Sequence, residues 1–414
     1  MFDWYRGLTA DGRRTFWACF GGYALDALDV QVFSFVIPVI VGLGLLTRDQ
    51  LGDIATSTLV LSAIGGWLAG MLADRIGRVR TLQITVVWFA VFTALCGLTN
   101  GYWQLLICRG LQGLGFGGEW AAGSVLMGEV IAARHRGRAV GFVQSSWSLG
   151  WALAAGIAAL IFTFVPQDYA WRCLFLIGIL PAFATFLVRR LVPEPEAFEH
   201  VHAEASDRPS LMAIFGPRLW WTTLRGSLLA LGAQGGYYAI TTWLPTFLRT
   251  ERHLTLVGST SYTMVIIAGS FAGYIVSAYL NDWIGRRAGF ILFALGSGIV
   301  VVAYTHLPVS DGVILFLGFP LGFFASGIFS GMGPVFTELF PTELRGAGQG
   351  FCYNVGRGLA AFFPALVGRA SATMPLGEAI GIFAAAAYAL VVIAALALPE
   401  TRGRELRSYA EMRG

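Results

Sequence analysis

The sequence predicts an all-α membrane protein: twelve transmembrane helices arranged as two pseudo-symmetric six-helix bundles. Three observations predict it: an apolar excess, twelve windows long enough to cross a bilayer, and motifs that return about 208 residues after they first appear. The chain has 414 residues, 56% hydrophobic and 13% charged, with a mean hydropathy of +0.67. Ordinary soluble domains are roughly 45–50% apolar and about 25% charged, so no water-soluble fold could bury this much apolar surface.

A helical span needs about 20 mostly apolar residues. Windows that qualify are 15–39, 51–73, 81–99, 103–128, 139–164, 171–190, 220–248, 257–280, 288–306, 312–336, 347–369 and 378–398. The polar start, Met1 to Arg14, lacks the short apolar core and small-residue cleavage site of a signal peptide, so the first window is expected to remain as a span. All 28 basic residues are arginine, and the net charge of +4 is too small and scattered for a nucleic-acid binder. With the N-terminus inside, 20 arginines fall in cytoplasmic loops and tails and five at the outer side, as the positive-inside rule requires. The remaining three, Arg109, Arg225 and Arg357, lie within spans. An even span count places both termini in the cytoplasm.

The longest polar connection, 191–219, divides the chain into an N-terminal half (1–190) and a C-terminal half (220–400), followed by a short tail (401–414). Across it, Asp74, Ile76, Gly77 and Arg78 return as Asp282, Ile284, Gly285 and Arg286; Glu129, Arg136, Gly137 and Gly141 return as Glu338, Arg345, Gly346 and Gly350; Pro38 returns as Pro245. One register for three anchors indicates duplication, and paired halves suit a carrier that rocks around a central site.

The stretch Gly70 to Arg80 resembles the signature between helices two and three of the major facilitator superfamily. That resemblance implies a cytoplasmic gate built from Asp74, Arg75, Arg78, Glu129 and Arg136, with Asp282, Arg286, Glu338 and Arg345 in the second copy. Ala278 and Trp283 replace Gly70 and Arg75 there, so the second latch is expected to be the weaker. Arg109 to Trp120 is a second superfamily-like run. Its glycines suit close helix packing, whereas Arg109 and Glu119 would each cost about 2.5–3.5 kcal/mol at mid-bilayer without a partner or a use.

Helix one contributes Asp26 and Asp29, whose i, i+3 spacing puts both carboxylates on one face. Two close acids in low dielectric do not both ionise readily, which is the chemistry of a group that loads and releases a proton. All five histidines fall in loops or at span ends, so carboxylates are the expected proton carriers, unless the pair only neutralises Arg109. Arg357 lies about 18 Å of helix beyond Arg345, near the midplane, where a guanidinium facing a cavity would bind a carboxylate through two parallel hydrogen bonds. An ion pair with Asp26, Asp29 or Glu119 is the alternative. Gln144 in helix five, Gln234, Tyr237, Tyr238 and Trp243 in helix seven, and Tyr353 and Asn354 beside Arg357 complete the candidate substrate site.

The runs Gly118 to Trp120, Gln144 to Trp147, Thr242 to Pro245, Glu338 to Gly346, Tyr353 to Arg357 and Pro399 to Gly403 resemble the sialate and lactate:proton symporter branch, with the aromatic-acid:proton symporters as neighbours. The resemblance implies a proton-coupled symporter of a small monocarboxylate such as lactate, pyruvate or sialate in a bacterial inner membrane, working as a monomer. Asp26, Asp29, Glu119 and Arg109 would couple protons and Arg357 would anchor the anion. Aromatic acids, and more remotely a neutral sugar or polyol, stay open as substrates, as does a non-transporting membrane sensor. The chain shows no nucleotide-binding loop, metal cluster or nucleophile triad, and its five separated cysteines suggest neither disulfides nor a metal site; no cofactor and no enzymatic activity are expected.

Overall fold

The computed structural model describes residues 3–131, 135–179, 210–253, 256–404 and 408–409, and among them there is no strand. The first seven helices are α1 (Asp3–Arg6), α2 (Ala10–Gly42), α3 (Arg48–Ile76), α4 (Arg78–Cys96), α5 (Tyr102–Val130), α6 (Arg136–Phe164) and α7 (Gln167–Ile177). After the connection come α8 (Trp220–Thr250), α9 (Leu256–Ile284), α10 (Arg286–His306), α11 (Asp311–Leu339), α12 (Arg345–Ala360), α13 (Phe363–Ala370) and α14 (Leu376–Ala397). Among the described residues eight helices are long and apolar enough to cross a membrane. Most of window 171–190 beyond α7 lies outside the described residues, as do residues 191–209 of the connection.

Several helices outrun their apolar windows. Helix α2 begins at Ala10 rather than 15, and α11 runs to Leu339 rather than 336, because hydropathy registers the bilayer while backbone hydrogen bonding continues into the polar flanks. The eleventh window, by contrast, breaks: α12 stops at Ala360 and α13 starts at Phe363. Pro364 sits in the first turn of α13. Its ring would collide with the carbonyl four residues earlier, that of Ala360, and it has no N–H to give, so the helix ends there and restarts.

Within the first half of the chain α2 packs on α6, α3 on α5 and α4 on α5; in the second, α8 packs on α12, α9 on α11 and α10 on α11 and α14. Glycine permits the closest of these approaches. A Cβ on Gly113 of α5 would meet the Thr58 carbonyl oxygen of α3, and one on Gly65 of α3 would meet that of Leu114. The same contacts return in α9 and α11, Gly322 against the carbonyl of Ile266 and Gly273 against that of Phe323. Every partner is displaced by 208 or 209 residues, so the repeat seen in sequence is also a repeat of backbone contacts. Small residues spaced in this way let helices associate in lipid, where burial alone provides no drive.

Gly117, one turn beyond Gly113, lies directly on the Ser62 carbonyl. Gly117→Val is expected to lower the apparent melting temperature in detergent well below that of Gly156→Val, whose added side chain meets nothing within 4 Å. Overpacking costs about 1–3 kcal/mol even against mobile side chains, and here the obstacle is backbone. Equal melting temperatures for the two variants would refute the close approach of α3 and α5.

Candidate functional site

The predicted residues assemble in two places, one at the arginine-rich ends of the helices and one deeper. At the arginine-rich end, Asp74 in the last turn of α3 caps α12: its Oδ1 accepts from the Gly346 N–H at 3.1 Å and its Oδ2 from the Ala347 N–H at 2.7 Å. Asp282 in the last turn of α9 caps α6 in the same manner, accepting from Gly137 at 3.1 Å and Arg138 at 3.0 Å. The first N–H groups of a helix have no intrahelical acceptor and carry the positive end of its dipole, so a carboxylate belongs there.

Each aspartate is also paired with the arginine one turn on, Asp74 with Arg78 at 3.2 Å and Asp282 with Arg286 at 2.6 Å. The turns that bring these arginines back pass through Gly77 and Gly285, at φ 108° and 101°, a region closed to most side chains. Arg78 reaches the Ala73 carbonyl at 3.0 Å and Arg286 that of Asn281 at 2.8 Å.

The second latch keeps its Asp–Arg pair despite the departures at Ala278 and Trp283. There Arg286 also binds Glu338 at 3.0 Å, and Glu338 accepts from Thr401 at 2.7 Å. At the position where Trp283 replaces Arg75 the side chain faces outward: Arg75 is exposed and Trp283 is 71% exposed. Arg345 is fully buried and holds the connection before α12, donating to the Thr337 carbonyl at 2.9 Å and to Thr342 Oγ1 at 3.0 Å. The side chains of Glu119, Glu129 and Arg136 lie outside the described residues.

Beyond α14, Glu400 caps α10 through the N–H groups of Arg286 and Arg287, at 3.0 and 3.1 Å. Burial pushes its pKa up, but backbone N–H donors outweigh that and hold it below the ordinary value. The cap is therefore complete at neutral pH and is lost as pH falls through that lowered value.

Deeper in the chain, Asp26 and Asp29 are both buried on α2. Asp29 Oδ2 accepts from Gln112 Nε2 at 2.5 Å and from Thr93 Oγ1 at 3.1 Å. Arg109 lies within electrostatic reach of Asp29 without a direct salt bridge, and its guanidinium rests 4.2 Å from the centre of the Phe33 ring. Asp26 lies within electrostatic reach of Tyr23, one turn back on α2, whose ring lies 5.3 Å from that of Trp147. Thr93 and Phe33 escape a reading of motifs, and Gln112, inside the Arg109 to Trp120 run, is given no role by it.

Arg357, in the last turn of α12, is 4% exposed. Its guanidinium lies between two aromatic rings, 4.7 Å from the centre of Phe116 and 4.9 Å from that of Tyr353. Its polar surroundings are the phenols of Tyr353, Tyr238 and Tyr23. Among the described residues no carboxylate pairs with it, and Nε and Nη1 have no acceptor; of the alternative partners, Asp26 and Asp29 make no ion pair with it, and the side chain of Glu119 lies outside the described residues.

The amides expected to line the site also tie helices together. Gln144 donates to the Phe329 carbonyl at 3.3 Å, Gln234 to that of Tyr353 at 2.8 Å, and Asn354 to those of Gly350 at 3.0 Å and Gly117 at 3.4 Å. Trp243 donates to the Pro364 carbonyl at 2.8 Å, fastening α13 to α8. Tyr237 lies edge-on to Phe329 at 5.4 Å and, with Trp151, Thr241, Ser270 and Ser326, borders a cavity of about 50 Å³. That volume accommodates water but not an organic acid.

The Major Facilitator Superfamily profile matches residues 19–365. The chain is 44% identical to the "Probable 4-methylmuconolactone transporter" of Cupriavidus pinatubonensis, covering 99% of this chain and 96% of that protein. It is 30% identical to the "Cis,cis-muconate transport protein" of Acinetobacter baylyi, covering 91% and 92% respectively. Its fold matches that of the proton:xylose symporter XylE bound to 6-bromo-6-deoxy-D-glucose, with a TM-score of 0.81 at 18% identity, over 97% of this chain and 98% of that one. By profile, by relatives along its whole length and by fold, this chain belongs to the Major Facilitator Superfamily, a multi-pass membrane transporter and not an enzyme.

Proposed function

We propose that this chain is a proton-coupled symporter of a small organic anion in a bacterial inner membrane. It works as a monomer by alternating access between the halves 1–190 and 220–400, twelve spans in all, with the 191–219 connection, the tail and both termini in the cytoplasm. The observation that carries the proposal is Arg357, a buried guanidinium between aromatic rings, with two nitrogens lacking acceptors and no carboxylate partner among the described residues. A chain keeps such a group in low dielectric when a ligand supplies the anion, and a carboxylate fits its planar fork.

Of the substrates the sequence leaves open, an unsaturated or aromatic acid suits this lining better than lactate or pyruvate. The rings of Phe116, Tyr353, Tyr238 and Tyr237 offer flat apolar faces on which a conjugated body stacks, and the relatives named for muconate and methylmuconolactone agree with that choice. Asp26, Asp29 and Glu119 carry the coupled proton, and Arg109 tunes their proton affinity. The Asp74 and Asp282 latches, with Arg75, Glu129, Arg136, Glu338 and Arg345, form the cytoplasmic gate.

Uptake into proteoliposomes under an imposed pH gradient tests this reading. Acid outside is expected to accelerate uptake of muconate or benzoate, and excess unlabelled carboxylate to compete while xylose does not. Uptake indifferent to the gradient would end the symport proposal, and competition by neutral sugars alone would end the anion proposal.

A further inference from the structure

A groove along α9 borders the Asp282 latch on its outer face. It is lined by Ile275, Val276, Tyr279, Leu280 and Trp283, with Arg138 of α6 beside them, and encloses about 440 Å³. These residues occupy the arginine-rich end of a candidate span that runs to Ile284, which is headgroup depth. Val276 is 40% and Trp283 71% exposed. A tryptophan at this depth belongs to the interfacial belt, while the aliphatic residues deeper along the helix offer an acyl chain a continuous wall.

Arg138 supplies the charge. Its guanidinium stands 3.4 Å from Asp282 and is 30% exposed; it also lies 5.3 Å from the centre of the Tyr279 ring. The contact runs from its Nε to Asp282 Oδ2, so the rest of the partly exposed guanidinium stays open to a second anion. Asp282 hardly needs it, being already bound by Arg286 at 2.6 Å and by the N–H groups of Gly137 and Arg138. A cation with spare donors thus borders an apolar, lipid-facing groove.

We infer that this groove binds one anionic phospholipid, its phosphodiester on Arg138 and an acyl chain along Val276 and Ile275. The phosphate and Asp282 then share a single guanidinium, so an occupied groove loosens the contact between Arg138 and Asp282 and makes the latch sensitive to lipid charge. The inference is independent of what the chain carries.

Lipid retention by the purified full-length protein tests it, using native mass spectrometry after exposure to phosphatidylglycerol and phosphatidylcholine of the same chain length. The wild-type protein is expected to retain phosphatidylglycerol preferentially. R138Q is expected to lower that retention about fivefold, the effect of removing one arginine near an anionic headgroup. R287Q, which removes the same charge from an exposed position outside the groove, is expected to retain lipid like the wild type. V276W, which fills the groove and leaves Arg138 in place, is expected to lower retention of both lipids. Thermal unfolding in detergent shows which variants are folded, and either R138Q or V276W alone suffices for a decision. Equal retention of the two lipids by the wild type, equal losses in R138Q and R287Q, or unchanged retention in V276W would each overturn the inference, as would loss of a dimer in place of a lipid.

Discussion

Arg357→Ala is expected to abolish measurable uptake and to weaken carboxylate binding at least about 30-fold. Truncating one partner of a buried, hydrogen-bonded charge pair costs about 2–5 kcal/mol, and each 1.4 kcal/mol is a factor of ten. Arg357→Lys tests geometry separately from charge. A lysine keeps the cation but loses the planar fork, so affinity should recover only in part. The alanine variant also loses two ring contacts, so thermal unfolding of the variant in detergent is measured beside binding and shows whether it is folded. Isothermal titration or a thermal-shift series with muconate and benzoate measures the effect. Unaltered carboxylate affinity in the alanine variant would remove Arg357 from the site.

The second large effect is expected from Asp29→Asn, which imitates a permanently protonated side chain. Accumulation driven by a pH gradient should vanish, while exchange of labelled for unlabelled substrate at equal pH should persist within about threefold. The separation follows from the surroundings of Asp29: Gln112 and Thr93 both donate to one of its oxygens, and an asparagine carbonyl can still accept from them, so the local packing survives while the ionisable group is gone. Gradient-driven accumulation by the variant would exclude Asp29 as a coupling carboxylate. Loss of exchange along with accumulation would instead show a structural role.

The apolar windows located the helices because hydropathy responds to the bilayer, and they missed helix ends because the polar turns beyond the bilayer are equally helical, as at Ala10 to Arg14 of α2. The break after Ala360 was legible in Pro364, which a window average conceals. The 208-residue register proved the most informative signal, extending from motif residues to the caps at Gly137 and Gly346 and to the carbonyl contacts of Gly65 and Gly273. What each buried charge faces could not be read in the same way. Phe33, Thr93 and Gln112 come from three different helices to surround Arg109 and Asp29, and no spacing in one chain segment encodes such a meeting. Arg138, beside the flagged Arg136, and Glu400, in a run quoted only for its resemblance, show the same limit: their partners on α9 and α10 lie more than 100 residues away.

The reciprocal caps have a kinetic consequence. Asp74 of α3 holds the start of α12, and Asp282 of α9 holds the start of α6, so each half of the chain grips the other by the end of a helix. A rotation that parts α3 from α12 while α6 stays seated on α9 would tilt the molecule about one clasp and leave two N–H groups bare. Nothing is gained until the second clasp opens as well. Intermediate openings are thus the least stable points along the motion, and the closed face yields in one step or not at all. Under the proposed symport, such a threshold would keep protons from slipping through a half-parted seam, and would tie the leak of the closed molecule to two aspartates distant from what is carried.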